Sequence, residues 1–175
     1  RNRFNQEINY VMRSEPTIKE LITSITSFLE DLNFEDFPNT KNHIDTLKNI
    51  NQINESKINE IIEFINDDLI SHLTGHNRFY AFVARNSLQI IKREINLINS
   101  YEEKEVIRLE KLLNEKGNIK DLNKVLCKRI SDKELDRDNN ELKDHLVRTT
   151  MAKLSIDQPN YSGYLKGIKD GYSKD

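Results

Sequence analysis

Apolar residues recur every three to four positions along most of this 175-residue chain. That spacing places them along one face of an α-helix. No segment sustains the strict alternation of apolar and polar residues that is typical of a half-buried β-strand. The sequence therefore predicts an all-α fold, a single-domain bundle of about six to eight helices around a central buried helix at about residues 76–99.

The segment from His76 to Asn99 is the predicted centre because apolar residues cover most of its circumference. They are Phe79, Tyr80, Phe82, Val83, Leu88, Ile90, Ile91, Ile95, Leu97 and Ile98. A helix that is apolar on most sides is typical of the middle of a bundle, in contact with several neighbours. We expect a separate, charged helix to begin after Ser100, which can cap it, and to end at Gly117.

Local signals predict where the other helices begin and end. Thr17 and Glu20 have the spacing of a capping box at a helix start. Gly75 is placed to end a helix in the left-handed conformation, and Pro159 ends the last long helix. That last helix is expected to turn four side chains inward: Leu142, Leu146, Thr149 and Leu154.

These boundaries predict three parts of the chain. A helical arm occupies residues 1–13, and a helical domain follows at 14–160. The domain carries an extra helix pair at 33–75. The C-terminal tail at 161–175 contains several glycines, so we expect it to be flexible.

Charge and composition exclude several classes of protein. The chain has 27 basic and 29 acidic residues, a net charge of −2, with neither sign gathered in one block. It therefore lacks the basic surface that binds nucleic acid or an anionic membrane. It also has no apolar run of the roughly 18 residues that a membrane span needs. Cys127 is the single cysteine, so no internal disulfide can form and we expect a reducing, cytoplasmic setting.

Three patterns resemble reactive or metal sites but lack essential parts. His72 and His76 have metal-ligand spacing, yet no third ligand is near in sequence. Residues 136–140 resemble the start of a calcium loop without its glycine. Cys127 could pair with His145 as a catalytic dyad, but a small buried thiol is the favoured interpretation. We therefore expect no catalytic residue, metal site or cofactor, and the sequence favours a protein that is not an enzyme.

Polar residues in the predicted central helix are candidate contacts. Arg85, Asn86, Arg93 and Glu94 interrupt its apolar surface. They could line a cleft between helices for a ligand or partner. The favoured alternative is structural, with Asn86 bonding a neighbouring helix end and the charged residues pairing at the surface.

A second group of candidate contacts lies where the last long helix ends. Lys153, Asp157 and Tyr161 could form a docking edge for a partner, with Tyr164 and Tyr172 as further anchors. Equally, the chain after Pro159 could pack back over the helix. The sequence leaves both alternatives open.

Four segments resemble a family of bacterial helical domains of unknown function. They are Glu15–Leu21, Phe82–Glu94, Leu122–Ile130 and Lys153–Ser162. Members of that family are often encoded beside, or fused to, acyl-CoA dehydrogenases and aminoglycoside-phosphotransferase-like kinases. This chain departs from the pattern at residues 33–75, where most members have a much shorter connection.

The resemblance implies an all-helical fold and supplies no catalytic residues. Together with the missing chemical motifs, it favours a non-catalytic accessory or interaction domain that binds an acyl-CoA dehydrogenase or a phosphotransferase-like kinase. An alternative is a small-molecule or acyl-chain binder with a pocket at Phe79, Tyr80 and Phe82. A further alternative is a homodimer that pairs through the 33–75 segment or the N-terminal arm.

Overall fold

The computed structural model describes residues 16–136 and 138–172. The predicted arm at 1–13 lies outside the described residues, as do Glu15 and Arg137. Across the described ranges the chain forms seven α-helices and no β-strand, which confirms the all-α prediction and the expected number of helices. None of the described helices combines the length and hydrophobicity that a membrane crossing requires.

The helices follow one another with short connections. They are α1 (Ile18–Glu30), α2 (Thr40–Lys48), α3 (Glu55–Phe64), α4 (Gly75–Leu113), α5 (Ile119–Ser131), α6 (Asn140–Asp157) and α7 (Ser162–Lys169). A short 3-10 turn at Ile50–Gln52 precedes α3, and a π-helical segment at Ile65–Ile70 continues it. The chain divides into two compact units, Arg1–Ile95 and Asn96–Asp175. We call them the first and the second unit.

The start of α1 forms as predicted. The backbone N–H of Glu20 donates to the Thr17 hydroxyl at 3.0 Å, and the N–H of Thr17 donates to the Glu20 carboxylate at 2.6 Å. This reciprocal capping box satisfies donors that the first helical turn leaves without partners. Gly75 has a φ of +57°, which confirms its predicted left-handed conformation.

The long helix α4 corrects the prediction of two helices meeting at Ser100. Ser100 is helical and exposed, and a serine is tolerated there because its side chain faces solvent and does not compete with the backbone. The helix ends at Leu113 and not at Gly117, and Asn114, the residue after the helix, has a φ of 52°. Asparagine is the residue other than glycine that most readily adopts this left-handed conformation.

A continuous hydrophobic core fills the first unit. It draws on α1, α2, α3, the π-helical segment and the first part of α4. It includes residues that are almost fully buried: Ile25, Leu29, Leu47, Ile58, Ile61, Ile65, Leu69, Ala81, Leu88 and Ile91. Two alanines, Ala81 and Ala84, lie on the buried side of α4. Small side chains at these positions let neighbouring helices approach the α4 backbone closely.

The buried part of α4 is a single face of the helix. Leu88 is 0% exposed, whereas Phe79, Tyr80 and Val83 are 61%, 50% and 40% exposed. The expectation that most of the circumference is buried was therefore wrong at the N-terminal end. Hydrophobic side chains alone do not decide burial, since folded proteins keep much apolar surface in water.

The second unit has a smaller core. Leu109 and Leu113 of α4 pack with Leu122, Leu126 and Leu142. Residues 162–169, in the predicted tail, form α7 and bury Tyr164. The flexibility expected for 161–175 stays a prediction.

We predict that Leu88→Ala lowers the free energy of unfolding by about 2–5 kcal/mol, because it leaves a cavity in a fully packed site. Val83→Ala, on the exposed face of the same helix, is the matched control and should cost about 1 kcal/mol or less. Urea denaturation followed by circular dichroism measures both values. Equal losses for the two variants would contradict the one-sided burial of α4.

Candidate functional site

A group of exposed aromatic and aliphatic side chains lies in the first unit at the start of α4. We call it the aromatic surface and define it as Phe79, Tyr80 and Val83 together with Phe28 of α1. The Phe28 and Tyr80 ring centroids are 6.3 Å apart, and those of Phe79 and Tyr80 are 5.8 Å apart in an edge-on arrangement. These distances lie within the range of favourable aromatic pairs. The side chains therefore form one contiguous apolar surface.

Helical geometry explains this exposure. Ala81, Ala84 and Leu88 share the buried face of α4, so Phe79 and Val83, four residues apart, lie on a different face. Single exposed apolar residues are normal on a protein surface, but a contiguous apolar patch often marks a binding site. The aromatic surface is therefore the strongest candidate for recognition in the first unit.

Two arginine side chains flank Phe82 on α4. The guanidinium carbons of Arg78 and Arg85 lie 5.9 Å and 5.0 Å from the centre of the Phe82 ring, at cation–π distance. The sequence from Leu69 to Arg93 contains four Lys and Arg residues and no Asp or Glu. This stretch of sequence is therefore basic although the net charge of the chain is −2.

A solvent-open groove adjoins the aromatic surface. Its volume is about 680 Å³, and it runs along α1 from Lys19 to Asp31 with Phe28 and Tyr80 in its lining. This volume falls in the range of small-molecule sites, roughly 300–1,000 Å³. Of the residues predicted to form a pocket on the central helix, Tyr80 lines this groove, whereas Phe79 and Phe82 are not among its lining residues. A binding pocket on the central helix stays a prediction.

The candidate contacts predicted on α4 lie in the first unit. The Arg85 guanidinium donates to the side-chain oxygens of Asn66 and Asn86, each at 3.4 Å. Asn86 is exposed, while Arg93 and Glu94 are partly buried. Arg85 thus links α4 to the π-helical segment, whereas Asn86, expected to bond a neighbouring helix end, accepts from Arg85 of its own helix. A role for these residues in binding stays a prediction.

The candidate contacts predicted at the end of α6 lie in the second unit. Lys153 is exposed, Asp157 is the last residue of α6, and Tyr161 is 51% exposed. Tyr164 is only 4% exposed, so its predicted role as a surface anchor was wrong: it is part of the packing of α7.

Tyr161 and Tyr172 line a groove of about 500 Å³ in the second unit. The groove runs along α6 and α7, and the small Gly167 lets α7 approach Met151 of α6 closely. A docking edge at Lys153, Asp157 and Tyr161 stays a prediction.

Buried hydroxyl groups meet in the interior of the second unit. Ser155 donates to the carbonyl oxygen of Ala152 at 2.7 Å, so the Tyr101 hydroxyl donates to the Ser155 oxygen at 2.9 Å. This bond joins α4 to α6, and both side chains are buried. Burial and the neighbouring Tyr101 raise the pKa of the Tyr164 hydroxyl.

His145 of α6 is 3% exposed. Burial is the main cause that lowers the pKa of its imidazole, and the positive charge of nearby Arg108 lowers it further. The carboxylates of Glu105 and Asp144 act in the opposite direction and raise it. Glu105 also accepts a hydrogen bond of 3.1 Å from the Asn123 amide. Leu146 was predicted to lie on the inner face of α6, but it is 48% exposed, and the buried face is turned by one residue.

Cys127 is exposed on α5, so the prediction of a buried thiol was wrong. Leu122 and Leu126 form the buried face of α5, and the next position along the helix turns toward solvent.

His72 precedes Gly75 and His76 follows it on α4, so they do not share one regular helix. Among residues 16–136 and 138–172, no three His, Cys, Asp or Glu side chains are grouped to hold a metal ion.

We predict that His145 makes the stability of the protein dependent on pH. Because its pKa is lower in the folded state, the unfolded chain binds more protons below its ordinary value of about 6.5. The contribution of neutral His145 to the free energy of unfolding is therefore fully present above that value. It is lost as the pH falls toward the pKa of His145 in the folded state.

The measurement compares His43→Gln with His43→Gln/His145→Gln, because burial also lowers the pKa of His43 in the first unit. The single variant should lose more free energy of unfolding between about pH 7.5 and pH 5.5 than the double variant. Identical pH dependence in urea denaturation would contradict the account.

Comparison with known proteins gives one match. The model of a family described as a domain of unknown function, DUF6285, matches residues 71–161. The matched segment contains α4, α5, α6 and the exposed Phe79, Tyr80 and Val83. No curated protein and no solved structure matches the chain. Because the match covers just over half of its residues, the chain belongs to the DUF6285 family of domains of unknown function.

Proposed function

We propose that this chain is a non-catalytic interaction domain that binds a protein partner through the aromatic surface. The observation that carries the proposal is the exposure of Phe79, Tyr80 and Val83, at 61%, 50% and 40%. Aromatic residues and arginine are the side chains most enriched where protein interfaces gain their binding energy. These three residues lie inside the segment that matches the family.

The chemistry of the surface favours a partner with an apolar recess and an acidic border. Phe79 and Tyr80 offer the apolar anchors, and Arg78 and Arg85, which flank Phe82, carry positive charge on the same helix. Complementary charge at a border raises the association rate and selects the partner more than it adds affinity. The partner classes that we propose are acyl-CoA dehydrogenases and phosphotransferase-like kinases, because the family that this chain resembles is often encoded beside them.

The expected contribution of the two aromatic side chains is large. Full burial of a large apolar side chain stabilises a complex by about 1.5–3 kcal/mol. Both side chains are already half covered in the free chain, so we expect about 1.5–3 kcal/mol for the pair. That range corresponds to roughly a tenfold to hundredfold change in affinity.

The experiment measures binding of this chain to a purified acyl-CoA dehydrogenase and a purified phosphotransferase-like kinase encoded near it. Phe79→Ser/Tyr80→Ser should weaken binding by at least about tenfold. Arg78→Glu should slow association, most strongly at low salt. Ile107→Ser is the matched control, because Ile107 is 65% exposed on α4 outside the aromatic surface.

Two results would contradict the proposal. In one, an enzyme that binds the wild-type chain binds the double variant with the same affinity. In the other, the wild-type chain binds neither enzyme class. Light scattering supplies a further check. If the wild-type chain self-associates and Phe79→Ser/Tyr80→Ser abolishes that self-association, the aromatic surface is a homodimer contact instead.

A second candidate function is the binding of an acyl chain or another small apolar molecule in the groove along α1. The groove volume of about 680 Å³ and the rings of Phe28 and Tyr80 in its lining favour it. A dansyl-labelled fatty acid should then bind saturably, and Tyr80→Ala should weaken that binding while Ile107→Ser leaves it unchanged. Lack of saturable binding would remove this candidate.

A further inference from the structure

A second concave site lies in the first unit, away from the aromatic surface. It is a cleft of about 500 Å³ lined by Asp36, Phe37, Pro38, Asn39, Phe64, Asp68, His72 and Leu73. One wall is the connection that leads into α2. The other wall is the end of α3 with its π-helical continuation, where residues 64, 68 and 72 follow one another at four-residue intervals.

The polar groups of this cleft are mainly hydrogen-bond acceptors. Asp36 and Asp68 each supply a carboxylate, and no Lys or Arg is among the lining residues. The Nδ1 atom of His72 lies 2.7 Å from the carbonyl oxygen of Asp68. A carbonyl can only accept, so Nδ1 carries a proton, which leaves Nε2 as the ring atom that can accept from a ligand donor.

Aromatic rings form the apolar part of the cleft. Phe64 is 6% exposed and is held against His43, whose ring centroid is 4.4 Å away. Phe37 is partly buried against the core of the first unit. These rings give the cleft an apolar wall, and the carboxylates of Asp36 and Asp68 favour a positively charged ligand.

The π-helical segment Ile65–Ile70 sets the geometry of the second wall. A π turn widens the helix locally and is frequent at functional sites. Ser71 donates to the backbone oxygen of Asp67 and His72 to that of Asp68. These two bonds fix the backbone at the end of the segment, and the second also fixes the position of the His72 ring before any ligand arrives.

We propose that this cleft binds a protonated primary amine carried on an apolar or aromatic body. An ammonium group has three N–H donors, and the cleft offers the carboxylates of Asp36 and Asp68 and the Nε2 atom of His72 as acceptors. The apolar body packs against Phe37 and Phe64. The cleft volume falls within the range of small-molecule sites, roughly 300–1,000 Å³.

The proposal is independent of the protein-binding function and is specific to this chain. Six of the eight lining residues precede residue 71, where the match to the family begins. The segment 33–75 is also where the sequence departs from the family that it resembles. We therefore expect amine binding to be a property added by α2 and α3.

The test is a nuclear magnetic resonance titration of the full chain with 2-phenylethylammonium, its anionic counterpart 3-phenylpropionate and the quaternary phenyltrimethylammonium. The primary ammonium ion should shift the amide signals of residues 36–39 and 64–73 saturably. Asp68→Asn should weaken that binding by about tenfold, since the acceptor loses its negative charge and the hydrogen bond to it becomes weaker.

Asp67→Asn is the matched control, because Asp67 lies beside Asp68 in the same π-helical segment but does not line the cleft. It should bind the amine as the wild-type chain does. Asp36→Asn tests the opposite wall and should also weaken binding. Circular dichroism confirms that each variant is folded.

Three results would overturn the proposal. One is the absence of saturable shifts in these residues with the primary ammonium ion. Another is equal binding of the ammonium ion and the carboxylate, which would show that the cleft does not select positive charge. The third is equal affinity for the quaternary ion, which has no N–H donor and would exclude recognition through the acceptors.

Discussion

The first unit depends on the close packing of one face of α4. Ala81 and Ala84 leave room for neighbouring helices, and Leu88 and Ile91 fill the core between them. Protein interiors are packed as densely as organic crystals. A substitution that adds or removes side-chain volume on this face therefore lowers the stability of the unit. The same packing leaves the remaining circumference of α4 free, and that is why Phe79, Tyr80 and Val83 reach solvent.

Both units bury polar side chains. In the first unit Thr26 and Thr40 are buried, while Phe79, Tyr80 and Val83 are exposed. In the second unit Tyr101 bonds Ser155, and His145 is nearly inaccessible. Buried polar groups stabilise one specific packing when they are satisfied and make stability sensitive to protonation when they titrate.

Local signals in the sequence predicted the all-α fold and several helix ends, because a capping box or a left-handed glycine acts within a few residues. The capping box of Thr17 and Glu20 and the conformation of Gly75 are confirmed on this basis. Features decided by distant packing were missed. Ser100 has the chemistry of a cap but lies inside α4, and the choice of Leu146 over His145 as the inward residue followed hydrophobicity alone. The aromatic surface was missed for the same reason, because apolar residues were assigned to the core without knowing which face the neighbours cover.

The central claim is that α4 is one continuous helix from Gly75 to Leu113, with a face packed in the first unit and a face packed in the second. Hydrogen exchange of the backbone amides on either side of Ser100, from about residue 95 to 105, tests it most directly, because helical amides exchange only when the helix opens. The account predicts slow exchange without interruption across Ser100. Rapid exchange at residues 99–102 between two protected segments would show two separate helices and contradict it.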